Sequence, residues 1–219
     1  MHTSAETVRE ELRSLLRETA QPVAVVTSFM DPATQQPAEH PSRFHGATLS
    51  SFSSISMDPH PLVAFSLRIP SRMATSLTSA HTSTGLYSHM VINILSERQE
   101  TAAQRFSRAD LYPEPFVSLP YSLTAEGLPV LSGAVGALSC RLIAASWPLH
   151  DLESLTSRGK EDVSEWKGEG VASELFIAQV IRVEHMSPSE RGLRPLMYHR
   201  RGYVTTCGLE SKPGSKLSS

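Results

Sequence analysis

The chain has a single asparagine, Asn93, and only two tryptophans and two cysteines in 219 residues, and aromatics make up 6%. Cys140 and Cys207 are too few for a disulfide framework or a structural zinc site, and Cys140 sits in an apolar stretch where a buried thiol is expected. A formal net charge of -2 leaves no basic footprint for nucleic acid. No apolar run reaches the length of a membrane span, so neither a bilayer nor a nucleic acid is expected as a partner. Glu6, Glu10 and Glu11 interrupt the N-terminal apolar positions, which argues against a transit or signal peptide and for the first helix of a cytoplasmic protein. With 40% apolar and 19% charged residues, the chain can bury the core of one large domain or two small ones.

The apolar residues that are present recur at two periods. Val8, Leu12, Leu15 and Leu16 keep helical spacing behind a cap at Thr3 or Ser4, predicting a helix over residues 1–19. Gln21 to Ser28 contains the β-branched run Val23 to Thr27 and suits a buried strand. Phe44 to Phe52, Leu62 to Leu67, Met90 to Leu95, Gly136 to Ala145 and Glu174 to Glu184 also read as strands, and Gly127 to Leu131 as a turn into a strand. Arg72 to Ala80 and Glu97 to Phe106 read as short helices. Six or seven strands without strict strand–helix alternation exclude a doubly wound parallel sheet and favour an antiparallel barrel, mostly β with peripheral helices. Residues 20–207 form the expected domain, with a charged insertion at about 146–172. Residues 208–219 read as a disordered tail.

Several chemistries lack their motifs. Gly168-Glu169-Gly170 is the nearest approach to a dinucleotide fingerprint, but Ser173 stands at the third glycine position and no strand precedes it. There is no phosphate-binding Walker loop and no serine nucleophile elbow. His40 and His45 have no carboxylate or thiol cluster beside them, so no metal site is expected. What stands out is the hydroxyl-rich run from Gly46 to Arg72. Small side chains there let backbone groups approach a planar ring, hydroxyls can meet phosphate oxygens, and Arg68 and Arg72 offer charge-assisted hydrogen bonds to an anion. A solvated serine-rich loop explains the composition equally well. Pro195 to Tyr203 gathers aromatic, imidazole and guanidinium groups, which suits either a ring or phosphate contact or a C-terminal strand with a polar face.

Gly46 through Val63, with its glycine, small residue, threonine, Ser50-Ser51, Ser-x-Ser and a proline before a Leu-Val strand, resembles the flavin reductase-like family of FMN-binding split barrels. Met90 to Gln99 with Ala102 and Phe106, Gly127 to Ala134 with Leu138-Ser139-Cys140, and Leu175 to Val180 resemble that family's further signatures, in its order. The resemblance implies a split β-barrel of the FMN-binding type, a homodimer with flavin near the subunit interface, and NADH or NADPH as electron donor to FMN, with FAD an alternative. It also implies reductase components that supply a partner flavin-dependent monooxygenase. Carried over by position, Gly46, Ala47, Thr48, Leu49, Ser50 and Ser51 would meet the ring edge and ribityl chain. Ser66, Leu67, Ser71 and Arg72 would approach the phosphate, and Asn93, Ser96 and Gln99 could complete the pocket. A side chain bonded to local backbone is the equal alternative for Asn93. Many members carry a histidine near the nicotinamide where Ser173 stands here, so His45, Ser173 and His199 are the candidates for that role. A flavin-binding module without its own nicotinamide site is the alternative reading, and a related barrel for pyridoxine phosphate or haem is a third.

Overall fold

The computed structural model describes residues 4–30, 40–49, 51–82, 88–143, 147–149, 172–184 and 192–208. Helix α1, Ala5–Arg17, starts where Ser4 accepts a hydrogen bond from the Thr7 N–H at 3.2 Å. The strand expected from Gln21 is divided at Val23 into β1, Gln21–Pro22, and β2, Ala24–Phe29. Next come β3, Phe44–Leu49, β4, Ser53–Ser56, and β5, Leu62–Ile69. Helix α2, Arg72–Thr82, leads to β6, Met90–Ile94, and then to α3, Glu100–Ser107. The remaining strands are β7, Tyr121–Leu123, β8, Pro129–Leu131, β9, Gly136–Leu142, β10, Trp147–Pro148, β11, Ala172–Glu184, β12, Leu196–His199, and β13, Gly202–Thr205. Most of the charged insertion and the tail after Gly208 lie outside the described residues.

The main sheet follows the order β3-β2-β6-β9-β11-β5-β4, and β10 adds to β11. Every pairing along this path is antiparallel, in line with the sequence expectation. Its two terminal strands, β3 and β4, are consecutive in the chain, so the two ends of the path come together and the sheet is curled. No helix among the described residues is long and apolar enough to cross a membrane.

Strand alternation builds one core on each face of this sheet. Ala24, Val26, Met90, Ile92, Leu142 and Phe176 pack with Met73 and Leu77 of α2, and Phe65 stacks on Phe176 across the β5–β11 pair at 5.4 Å. Cys140 belongs to this core, where burial pushes its thiol up to about 12 and keeps it protonated. Val25, Phe44, Val91 and Leu95 face the other way, against Ala103 and Phe106 of α3 and Leu128 and Leu131 near the β7–β8 hairpin. Asn93 points into this second core.

Outside both cores, Arg182 of β11 forks onto Glu126 in the β7–β8 turn, with Nη1 and Nη2 donating at 3.0 and 2.6 Å, and its Nε donates to Glu184 at 2.8 Å. Ser139 hydrogen-bonds the same Glu184 carboxylate. The guanidinium fork holds the Glu126 carboxyl down to about 2 from its ordinary 4.5. Because the folded value lies below the unfolded one, this stabilisation is complete above pH 4.5 and fades as pH falls toward 2. Glu126→Gln should therefore cost about 1–2 kcal/mol at neutral pH, with the gap to wild type narrowing in acid, as denaturant melts at neutral pH and below pH 4.5 would register.

Helix α1 occupies Ala5–Arg17 within residues 1–19, and its apolar stripe is left uncovered. Val8, Leu12, Leu15 and Leu16 are 51%, 52%, 66% and 47% exposed, and no residue of the helix is buried. Its C-terminal end is tied instead to the β12–β13 turn, where the Arg200 N–H donates to the Arg17 carbonyl at 3.1 Å and its guanidinium pairs with Glu18. That two-residue turn places Arg200 and Arg201 at φ of 48° and 66°, the left-handed region where an L side chain crowds its own backbone. Arg201→Gly should relieve the strain at a smaller entropic cost and raise stability by up to about 1 kcal/mol, read as an increased melting temperature.

Candidate functional site: a cleft along the free edge of β3

β3 ends the sheet path, so among the described residues one of its edges has no strand partner, and its backbone N–H and C=O groups along that edge can meet a ligand. A cleft of about 680 Å³ runs along it. His45 to Leu49 form one wall, while Ser66, Leu67 and Arg68 of β5 and Pro70 to Met73 at the start of α2 form the other. The walls converge at one end, where the Ser66 N–H donates to Ser51 Oγ at 2.8 Å and the two hydroxyls lie 2.7 Å apart. Tyr198 and Tyr203 lie along the cleft with Gln21 to Val23, and Phe106, Ser107 and Ala109 also contribute to the lining.

The cleft's charge is of one sign. Arg68 and Arg72 line it, and no carboxylate is among its lining residues within the described part of the chain. The first N–H groups of α2 add partial positive charge at the same end. Ser71 caps that helix, its hydroxyl accepting from the Ala74 N–H at 3.1 Å. His45 is 5% exposed, and burial, with Arg72 as second cause, lowers its imidazole to about 4. It is therefore uncharged at neutral pH. Such a site suits an anionic ligand that also carries a planar polar ring: donors for phosphate at one place, an extended backbone for imide groups at another.

Of the residues singled out from sequence, His45, Gly46, Ala47, Thr48, Leu49, Ser66, Leu67, Ser71 and Arg72 come together in this cleft. Ser50 lies outside the described residues. Ser51 lines an adjoining groove of about 640 Å³, with Phe52, Arg13, Arg17 and Arg201. Thr48 spends its hydroxyl on the Ala103 carbonyl at 2.7 Å. Gly46 also has a packing reason, since a Cβ there would stand 2.6 Å from the Phe106 ring.

Asn93 and Ser96 are not brought to the cleft. Asn93 donates to the Val25 carbonyl and Thr27 Oγ1 and accepts from the Leu131 N–H, which fixes β8 to β2 and β6. The backbone N–H of Ser96 donates to Gln99 Oε1, and the Gln99 amide donates to the Ser132 carbonyl. Ser173 pairs in register with Arg68, which places it one strand behind the cleft wall. His199 sits at the β12–β13 turn opposite Gly202, outside the cleft. Met73, Tyr198 and Tyr203 were not assigned from sequence. The Pro195 to Tyr203 concentration of rings and cations was the only signal for the two tyrosines.

Residues 16–206 match the family model described as the flavin reductase like domain. The chain belongs to the flavin reductase-like family. It is 34% identical to the FMN reductase (NADH) SmoA of Agrobacterium fabrum over 100 residues, 46% of this chain, and the match spans about half of that protein, 51% of its length. It is 30% identical to the NADPH-flavin oxidoreductase of Streptomyces viridifaciens over 201 residues, 86% of this chain and 92% of that protein. Among solved structures, the Streptomyces globisporus NADH:FAD oxidoreductase SgcE6 in complex with NAD and FAD fragments superposes with a TM-score of 0.65 at 20% identity, covering 96% of this chain and 100% of that one. The curled antiparallel sheet is thus the split barrel of flavin reductase-like proteins.

Proposed function

We propose that this flavin reductase-like protein is an NAD(P)H:flavin oxidoreductase that binds FMN or FAD in the β3 cleft and takes electrons from NADH or NADPH. The observation that carries the reading is the acid-free cleft, with a free strand edge on one side and Arg68, Arg72 and the start of α2 on the other. A flavin fits this donor set: its phosphate needs donors, its ring carbonyls and N3 need alternating partners, and an orphaned buried nitrogen, His45 Nδ1, awaits one. A bound flavin would supply the redox chemistry, as acceptor of hydride from the nicotinamide. The chain's own work is alignment and charge stabilisation. The β3 edge would hold the ring and ribityl chain, and Ser66, Leu67, Ser71 and Arg72 would hold the phosphate. Backbone donors along the β3 edge would stabilise the negative charge that reduction brings to the ring. No side chain need act as an acid or base in hydride transfer.

The test is anaerobic stopped-flow of the purified chain with FMN or FAD against each nicotinamide. Saturable bleaching of oxidised flavin is expected with at least one flavin–nicotinamide pair. Tight flavin binding without reduction by either nicotinamide would overturn the enzyme reading in favour of a flavin-carrying module, the reading that Ser173 favours.

The same proposal extends to the protein's setting. The uncovered stripe of α1 supports a homodimer, because four half-exposed aliphatic residues at helical spacing form a face that a second subunit can bury. The composition supports a cytoplasmic protein, and the family resemblance supports delivery of reduced flavin to a partner monooxygenase. Light scattering that shows a monomer at micromolar concentration would remove the dimer.

A further inference from the structure

The imidazole of His45 has no role in the fold that its surroundings explain. It lies on β3 opposite Ser28 of β2, whose hydroxyl is already spent on the His89 carbonyl at 2.8 Å. The side chain is buried, and its Nδ1 has no hydrogen-bond partner. A buried polar nitrogen left without a partner is costly and calls for an explanation, and at the wall of a cleft a ligand that completes it is a direct one. The completing group must be an acceptor, because the rest of this part of the cleft is already rich in donors: Arg68, Arg72, the Ser71 hydroxyl and the first turn of α2. The geometry also selects which part of the ligand it meets. The cleft walls close where Ser51 meets Ser66, beyond Leu49, and from Ser66 the second wall runs through Arg68 and Ser71 to Arg72. His45 starts the first wall and therefore lies far from that closure, four residues and roughly 13 Å of strand from Leu49. Arg72 is close enough to His45 to help lower its imidazole.

We propose that His45 reads the phosphate of the bound flavin, donating from Nδ1 to a phosphate oxygen beside Arg72 and Ser71, and so makes the cleft selective for phosphorylated flavin over riboflavin. This assignment rests on the flavin reading given above. It makes His45 a specificity residue and not a participant in hydride transfer. The low protonation tendency of the ring is consistent with the role, since an uncharged imidazole can carry one proton on Nδ1 and donate it without repelling Arg72.

Equilibrium titrations with FMN and with riboflavin, followed by flavin fluorescence, test it in wild type, His45→Leu and His45→Gln. Wild type should prefer FMN. His45→Leu should weaken FMN roughly ten- to hundredfold, the range of one hydrogen bond to a charged group, while riboflavin stays within about twofold. His45→Gln, whose amide can still donate, should recover part of the preference. Equal weakening of both flavins would assign His45 a merely structural role and overturn the proposal, and so would an unchanged preference. Wild type that binds both flavins equally would also overturn it while leaving the flavin reading intact, whereas wild type that binds neither would remove that reading itself. Should His45→Leu fail to fold, nitrogen-15 spectra of the histidines in the unmutated protein keep the question open to refutation. The His45 ring signals should move on adding FMN and hold still on adding riboflavin, and any other pattern counts against the assignment.

Discussion

Asn93→Leu is expected to lower the unfolding free energy by about 3–5 kcal/mol while leaving flavin affinity of the folded protein unchanged. Leucine has the same branched side-chain skeleton as asparagine with bulkier ends, so the cost comes from lost partners and added bulk and not from a cavity. The Leu131 N–H loses its acceptor at 2.8 Å, and the Val25 carbonyl and Thr27 hydroxyl lose a donor at 3.2 and 3.3 Å, all in the core. Each buried group left unpaired costs about 1–3 kcal/mol. Thr27 retains its own donation to the Pro129 carbonyl at 2.7 Å, which moderates its share. Denaturant melts would give the stability change and a flavin titration the affinity. Loss of flavin binding without loss of stability would return Asn93 to the site.

Gly46→Ala is expected to damage both stability and flavin binding. The new Cβ would lie 2.6 and 2.7 Å from two atoms of the Phe106 ring and 3.2 Å from the Val26 carbonyl oxygen. Phe106 cannot retreat freely, because it is 4% exposed and packs edge-on against Phe116 at 5.1 Å. Overpacking of this kind costs about 1–3 kcal/mol. Because Phe106 also lines the cleft, any displacement changes the space open to the flavin ring. A double-mutant cycle with Phe106→Leu separates the two effects: the smaller side chain should make Gly46→Ala less harmful, giving a coupling of about 1 kcal/mol or more. Strict additivity would show that the ring is not what excludes the methyl group.

The barrel was legible where strands are buried on at least one face. Met90 to Leu95 and Glu174 to Glu184 announce themselves by apolar content, since each must satisfy a core. β4 did not, because Ser53 to Ser56 holds one aliphatic residue, Ile55, and that residue is exposed. The strand exists through its pairing with β5, a non-local fact. Gln21–Pro22, expected as the start of one longer strand, instead pairs separately with Met197 and Tyr198, which is also a non-local fact. In the cleft, the contiguous hydroxyl run and Arg72 were readable because both walls come from one stretch of chain. Tyr198 and Tyr203 arrive from the distant hairpin. Asn93 misled for a physical reason: a lone polar residue in an apolar strand has the same spelling whether it faces a ligand or knits three strands together.

The free edge of β3 has a consequence for how this protein can be probed and how it can change. If the ring is held by main-chain groups, alanine scanning of residues 45–49 will under-report the contact, because every such variant keeps the same amides in place. Replacing single amide bonds along β3 by esters, which removes an N–H without touching a side chain, would locate the recognition directly. By the same logic, many sequences can keep this foothold for a ring so long as they keep an unpaired strand, and descendants could diverge in side chains while conserving the grip.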